Sequence, residues 1–117
     1  MYIAVVILAI LLALAYFAAG ISKAIGAEQA MATADHLRVP HAQYRVIGAL
    51  EILGAAGVLA GIVWGWLGVA AGSGLLALML GALVTHARAK DPVKAMVPAL
   101  ILGLIAAAFI ATRVLTL

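Results

Sequence analysis

The chain has no cysteine and few charged residues. Without a thiol, its 117 residues form no disulfide, no thiolate metal site and no dithiol redox relay. Charged residues make up 9% of the chain, and the seven Lys and Arg against four Asp and Glu are too sparse for a nucleic-acid-binding surface. The composition therefore excludes nucleic acid as a partner.

What the chain does have is long apolar runs, with 68% hydrophobic residues overall. A bilayer core requires about 20 apolar residues per helix, whereas a barrel strand needs only about ten that alternate in polarity. Four continuous runs meet the helical requirement, at about 2–21, 43–62, 67–86 and 93–112. We predict an all-α integral membrane four-helix bundle that forms one transmembrane domain over residues 1–117 within the lipid bilayer.

The first apolar run has two interpretations. Small residues at Ala13-Leu14-Ala15 and Ala18-Ala19-Gly20 would suit cleavage of a signal peptide. The start Met1-Tyr2-Ile3, however, lacks the basic region that precedes the apolar core of such a peptide. We therefore expect this run to be a retained membrane span.

The connections between the spans differ in character. Residues Ala24 to Leu37 include good helix formers among polar residues, which favours a short amphipathic helix at the membrane surface over an irregular loop. Val39-Pro40 predicts a stop before the second span, because the residue before proline disfavours helix. Trp64-Gly65-Trp66 is typical of interfacial anchors around a tight hairpin, and Asp91-Pro92 of a helix stop and restart.

The distribution of basic residues predicts the orientation in the cell membrane. The first and third loops hold six of the seven basic side chains: Lys23, Arg38, Arg45, Arg88, Lys90 and Lys94. The opposite side holds only Arg113 and the terminal amine. Because basic loops stay inside, we expect a multi-pass protein with loops one and three cytoplasmic and both termini outside.

Small residues recur at helical spacing in the second and third spans. Gly57, Gly61 and Gly65 lie four residues apart, while Gly74 and Gly81 share a face of the third span. Membrane helices gain contacts through the close backbone approach that such residues allow. We interpret them as the packing surfaces of the bundle.

One carboxylate, Glu51, interrupts the second span, roughly 12 Å below the helix end by the rise per residue. An ionisable residue at this depth usually faces the bundle interior, has a partner and indicates a functional site. Lys23 and His86, on two other helices, fall in the same half of the bilayer, and Tyr16 and Tyr44 share faces with Lys23 and Glu51. These five residues form our predicted polar pocket. The alternative is a buried ion pair that fixes helix register without binding anything.

The sequence contains no motif that indicates a catalytic residue, a cofactor or a metal site. A Ser-His-Asp arrangement, a phosphate loop, a dinucleotide fingerprint and a zinc signature are all missing, and no paired histidines suit a haem. His36 and His41 lie near Asp35, but no compact set of ligands appears around them. An enzyme acting alone is therefore the least favoured function.

Several short segments, taken together, resemble the DoxX-like family of small four-helix membrane proteins. The resemblance covers nearly the whole chain and rests on four segments: Phe17-Ala18-Ala19-Gly20-Ile21-Ser22-Lys23, Val39-Pro40, Ile47-Gly48-Ala49-Leu50-Glu51-Ile52-Leu53-Gly54 and His86-Ala87-Arg88. The family name comes from a subunit associated with a thiosulfate:quinone oxidoreductase, and other members are linked to membrane redox or oxidative-stress systems. The resemblance implies the fold and places Lys23, Glu51 and His86 at the family's polar positions, without a catalytic role.

Three functions follow as expectations. The leading one is a non-catalytic accessory subunit of a membrane redox or stress-response system, whose polar pocket holds a quinone or lipid-like ligand for a redox partner. The second is a small proton-coupled transporter that uses Glu51 and works as a homo-oligomer, since four helices leave little room for a pathway. The third is a purely structural membrane protein.

Overall fold

The computed structural model describes residues 1–117 and consists of helices without strands, which confirms the predicted all-α class. Five helices follow one another along the chain: α1 Tyr2–Ala24, α2 Glu28–Leu37, α3 His41–Ala60, α4 Gly65–Arg88 and α5 Val93–Leu115. The segment between the first two spans contains the short helix α2. Helices α1 and α5 continue beyond the predicted ends at residues 21 and 112.

Helices α1, α3, α4 and α5 form the bundle. In the order α1, α3, α4, α5 each packs on the next, and α5 closes the ring against α1. All four are long and apolar enough to cross a membrane. Only 22 of the 117 residues are buried, and large apolar side chains cover the outside of every long helix. Lipid must therefore cover the surface that a soluble bundle would make polar.

The two helices that carry the predicted ion pair cross at glycines. A Cβ added to Gly48 would lie 2.6 Å from the carbonyl oxygen of Gly20 and 2.6 Å from Lys23 Cβ, and one added to Gly20 would lie 2.7 Å from the Gly48 oxygen. Backbone therefore meets backbone where α1 crosses α3. This close approach places Lys23 beside the helix that carries Glu51.

Three helices end with the same backbone turn at the end of the bundle that carries α2, which we call the α2 end. The residues that close α1, α2 and α4 have positive φ: Gly26 at 71°, Arg38 at 58° and Lys90 at 58°. In each case the residue after the positive-φ position donates its backbone N–H to the carbonyl oxygen five residues before it, as Val39 does to Ala34. Glycine is the usual residue at this position, so the two cations are exceptions.

Arg113 closes the opposite end of the bundle. It was expected only as a charge on that side, but its side chain is buried, with 6% exposure. Its Nε donates to the Gly61 carbonyl oxygen at 2.8 Å, and Nη1 donates to Thr116 Oγ1 at 2.7 Å. The guanidinium also lies 6.0 Å from the Tyr2 ring centroid. Arg113 therefore ties α5 to the end of α3 and to α1.

Candidate functional site: a polar cavity inside the bundle

Glu51 and Lys23 form an ion pair between α3 and α1. Lys23 Nζ donates to Glu51 Oε1 at 2.5 Å, and the Glu51 side chain is fully buried while that of Lys23 is 19% exposed. The second carboxylate oxygen, Oε2, is buried and has no hydrogen-bond partner. Because buried polar atoms are nearly always paired, this oxygen is an exception and could accept a hydrogen bond.

The two predicted tyrosines have different positions. Tyr44 lies beside the ion pair, with its ring centroid 5.3 Å from Lys23 Nζ, so the ring face helps to hold the ammonium. Tyr16 is fully buried one helical turn before Gly20, and its hydroxyl has no partner. The site therefore contains a second unpaired polar atom besides Glu51 Oε2.

A cavity of about 430 Å³ adjoins the ion pair. Its wall consists of 18 residues, 12 of them hydrophobic, contributed by all five helices. Lys23, Tyr44, Glu51 and His86 lie in this wall, whereas Tyr16 does not. Such a cavity, apolar with a few convergent polar groups, has the character of a small-molecule site. The structure thus brings four of the five predicted residues to one space.

His86 lies in the cavity wall with Lys23 and Glu51, but its hydrogen-bond partner is a residue outside the predicted pocket. Its Nδ1 is paired with Asp91 Oδ2 at 2.7 Å. His36 Nε2 is paired with the other oxygen of the same carboxylate, Oδ1, at 2.6 Å. The hydrogen bonds to these two histidines hold the pKa of the Asp91 carboxyl below its usual range, and the bond to His86 has the larger effect.

Asp91 is the residue of this region that sequence analysis missed. It served there only as a helix boundary before Pro92, although His86 precedes it by five residues. The helix end between them brings the two side chains together, and His36 comes from α2. The Asp91 carboxylate therefore fastens the surface helix α2 to the end of α4.

The remaining histidine contact is local. His41 Nε2 lies 2.7 Å from Asp35 Oδ1, and both side chains are exposed. His36, which the sequence placed with these two residues, is instead paired with Asp91. No group of three or more His, Asp or Glu side chains is arranged to hold a metal ion.

The model of the DoxX-like family matches residues 7–109. The chain belongs to the DoxX-like family. No curated protein and no solved structure matches this DoxX-like chain. The predicted family is thereby confirmed, and membership agrees with the four apolar helices.

The matched region contains the whole cavity wall, from Ala19 to Leu102. It also contains the ion pair, Asp91 and both histidines that bind it. Arg113 and Thr116, which close the far end, lie outside residues 7–109. The candidate site is therefore built entirely from the family-matched part of this DoxX-like protein.

Proposed function

We propose that this DoxX-like protein is a non-catalytic accessory subunit of a membrane redox or stress-response system that holds a quinone or lipid-like molecule in its cavity. The observation that carries the proposal is the buried Glu51 Oε2, which has no hydrogen-bond partner and belongs to a residue that lines a largely apolar cavity. Leaving such an atom unsatisfied costs free energy, so a hydroxyl donor from a ligand is favoured there.

The polar groups in the cavity wall suit both redox forms of a quinone. Glu51 Oε2 accepts a hydrogen bond from the phenolic hydroxyl of the reduced form. The ammonium of Lys23 has three N–H donors and uses one of them on Glu51, so it has donors left for the carbonyl of the oxidised form. The apolar wall accommodates the ring and tail. The chain itself supplies binding and orientation, and a redox partner would supply the electrons.

The test uses decylubiquinol, a reduced quinone with a short tail, and native mass spectrometry of the detergent-purified full chain. We expect an adduct on the wild type that is weakened about tenfold or more in Glu51→Gln, since a hydrogen bond to a charged acceptor is removed. Glu28→Gln is the matched control, because Glu28 is exposed on α2 outside the cavity.

Two results would count against the proposal. If the wild type forms no adduct, the cavity does not bind quinones. If Glu51→Gln binds as well as the wild type, Glu51 is part of an ion pair that only fixes the register of α1 and α3. The latter result would favour the purely structural function.

The orientation in the membrane belongs to the same proposal. The α2 end holds six of the seven basic side chains, which supports a cytoplasmic location for that end and an outer location for both termini. Because the chain has no cysteine, a single introduced cysteine can report the orientation. An impermeant maleimide added to intact cells should label Val63→Cys and leave Glu28→Cys unlabelled. The reverse pattern would overturn the proposed orientation.

A further inference from the structure

A second concave region lies at the α2 end, outside the apolar cavity. This crevice of about 760 Å³ lies between the end of α2, the start of α3 and the end of α4. Arg38, Arg88 and Lys90 are in its wall. None of the three side chains makes a hydrogen bond or ion pair within the chain. Three uncompensated cations therefore face one crevice.

The carboxylate of Asp91, which follows Lys90 in the chain, is bound by two histidines. Asp91 is the acid that joins the crevice wall to the cavity wall, because it binds His36 of the crevice and His86 of the cavity. Its two oxygens are both occupied by these rings, and its side chain is only 9% exposed. Asp91 therefore makes no ion pair with Arg38, Arg88 or Lys90.

The backbone at Arg38 and Lys90 gives an independent reason to look for a ligand. Both residues close a helix with φ at 58°, whereas α1 uses Gly26 at the same kind of turn. A side chain there is strained, and strained residues persist where their side chains have a use. Cations also complement the negative ends of α2 and α4, and this structural role must be separated by experiment.

The crevice adjoins the cavity. Leu37, Val39 and Thr85 lie in the walls of both. A molecule with a charged head and an apolar chain would therefore find cations for the head at the α2 end and an apolar space for the chain inside the bundle. A free phosphate would use only the first of these two regions.

We propose that the crevice and the cavity form one site for an anionic lipid, with its phosphate between Arg38, Arg88 and Lys90 and one acyl or prenyl chain in the cavity. This inference rests on the proposed function, since it assumes that the cavity takes an amphipathic molecule. Among lipid-like molecules, it selects those that carry a phosphate group. Arginine and lysine are the usual partners of phosphate oxygens.

The test is native mass spectrometry of the full chain released from nanodiscs of equal parts phosphatidylglycerol and phosphatidylcholine. The wild type should retain phosphatidylglycerol preferentially. Removing a cation should lower this preference about fivefold for each one, so the double variant Arg38→Gly/Lys90→Gly should lose nearly all of it. Lys94→Gln is the matched control, because Lys94 is exposed at the start of α5 and outside the crevice.

Glycine was chosen so that loss of binding and loss of fold are distinguishable. Relief of the positive φ should leave the Tm of the double variant unchanged or higher, even as the lipid preference falls. If the Tm falls and the lipid preference stays, the cations only complete the helix ends, and the inference is wrong. A wild type without any preference for phosphatidylglycerol also overturns it.

Two further measurements distinguish lipid binding from the proposed quinone binding and from the binding of free phosphate. Decylubiquinol is uncharged, so it should bind the double glycine variant as well as the wild type. If the wild type binds decylubiquinol but shows no lipid preference, the proposed function stands and the inference fails. If inorganic phosphate raises the Tm as much as phosphatidylglycerol does, the crevice serves a free anion and the lipid assignment is overturned.

Discussion

The two oxygens of Glu51 have different roles in this fold. Oε1 accepts from Lys23, which neutralises the charge, and Oε2 is buried without a hydrogen-bond partner. A residue that served only as half of an ion pair would have both oxygens satisfied. The unpaired atom is therefore the observation on which the binding function depends.

The ion pair itself can be tested by exchange for apolar residues. Glu51→Leu alone should lower the free energy of unfolding by about 3 kcal/mol, because it leaves the Lys23 ammonium without its counter-charge inside the bundle. The double variant Glu51→Leu/Lys23→Met should recover most of that loss. Thermal unfolding in detergent measures both. A double variant as unstable as the single one would show that the pair contributes more than mutual charge compensation.

Asp91 gives a prediction on pH. Its folded pKa is held below the ordinary value, so its contacts with His86 and His36 contribute stability above the unfolded pKa of about 4 and lose it as the pH falls through the folded pKa. The wild type should therefore have a higher Tm than Asp91→Asn at pH about 5, and the difference should shrink well below pH about 4. A difference that stays constant down to strongly acidic pH would contradict this account.

Sequence analysis found the residues of the ion pair but not the partner of His86. Glu51 and Lys23 could be matched because each is an unusual charge at a helical depth that spacing alone fixes. His86 was placed in the same pocket because it ends the third span in the same half of the bilayer. Its real partner, Asp91, depends on how the turn after α4 folds back, and helix spacing carries no information about that turn.

A few glycines determine how the helices pack, and their spacing in the sequence does not show which of them lie at a helix contact. Gly20 and Gly48 meet where α1 crosses α3, whereas a Cβ built at Gly74 or Gly81 meets no atom within 4 Å. The prediction that the regularly spaced glycines are packing surfaces is thus wrong for Gly74 and Gly81. Spacing places residues on one face of a helix, but which face meets a neighbour is a property of the assembled bundle.

This difference yields a prediction for the helices. Gly48→Ala should destabilise the protein by about 2 kcal/mol, because its Cβ would meet the α1 backbone and force the helices apart. Gly74→Ala should instead leave stability unchanged or raise it by up to about 1 kcal/mol, through helix propensity alone. Thermal unfolding compares the two. Equal effects would mean that the crossing is not tightly constrained.

At the scale of the whole molecule, the two ends of the bundle differ in character. The α2 end carries most of the basic side chains and the crevice, while Arg113 ties the helices together at the other end. The sequence predicted the number of spans and the excess charge at the α2 end. It could not predict the cavity, because empty space depends on how all five helices pack.

Gly81 offers the most direct test of the central claim that the cavity holds a ligand. Gly81 lies in the cavity wall and Gly74 does not, yet both are exposed α4 glycines with open space beyond the Cα. Leucine at either position should therefore be tolerated by the bundle, and only Gly81→Leu should fill the cavity.

The measurement is native mass spectrometry of wild type, Gly81→Leu and Gly74→Leu, each extracted from its own membrane without added ligand. We predict one co-purifying small molecule on the wild type and on Gly74→Leu, and its loss from Gly81→Leu. A bound molecule present equally on all three proteins, or absent from all three, would contradict a ligand-binding cavity at Glu51.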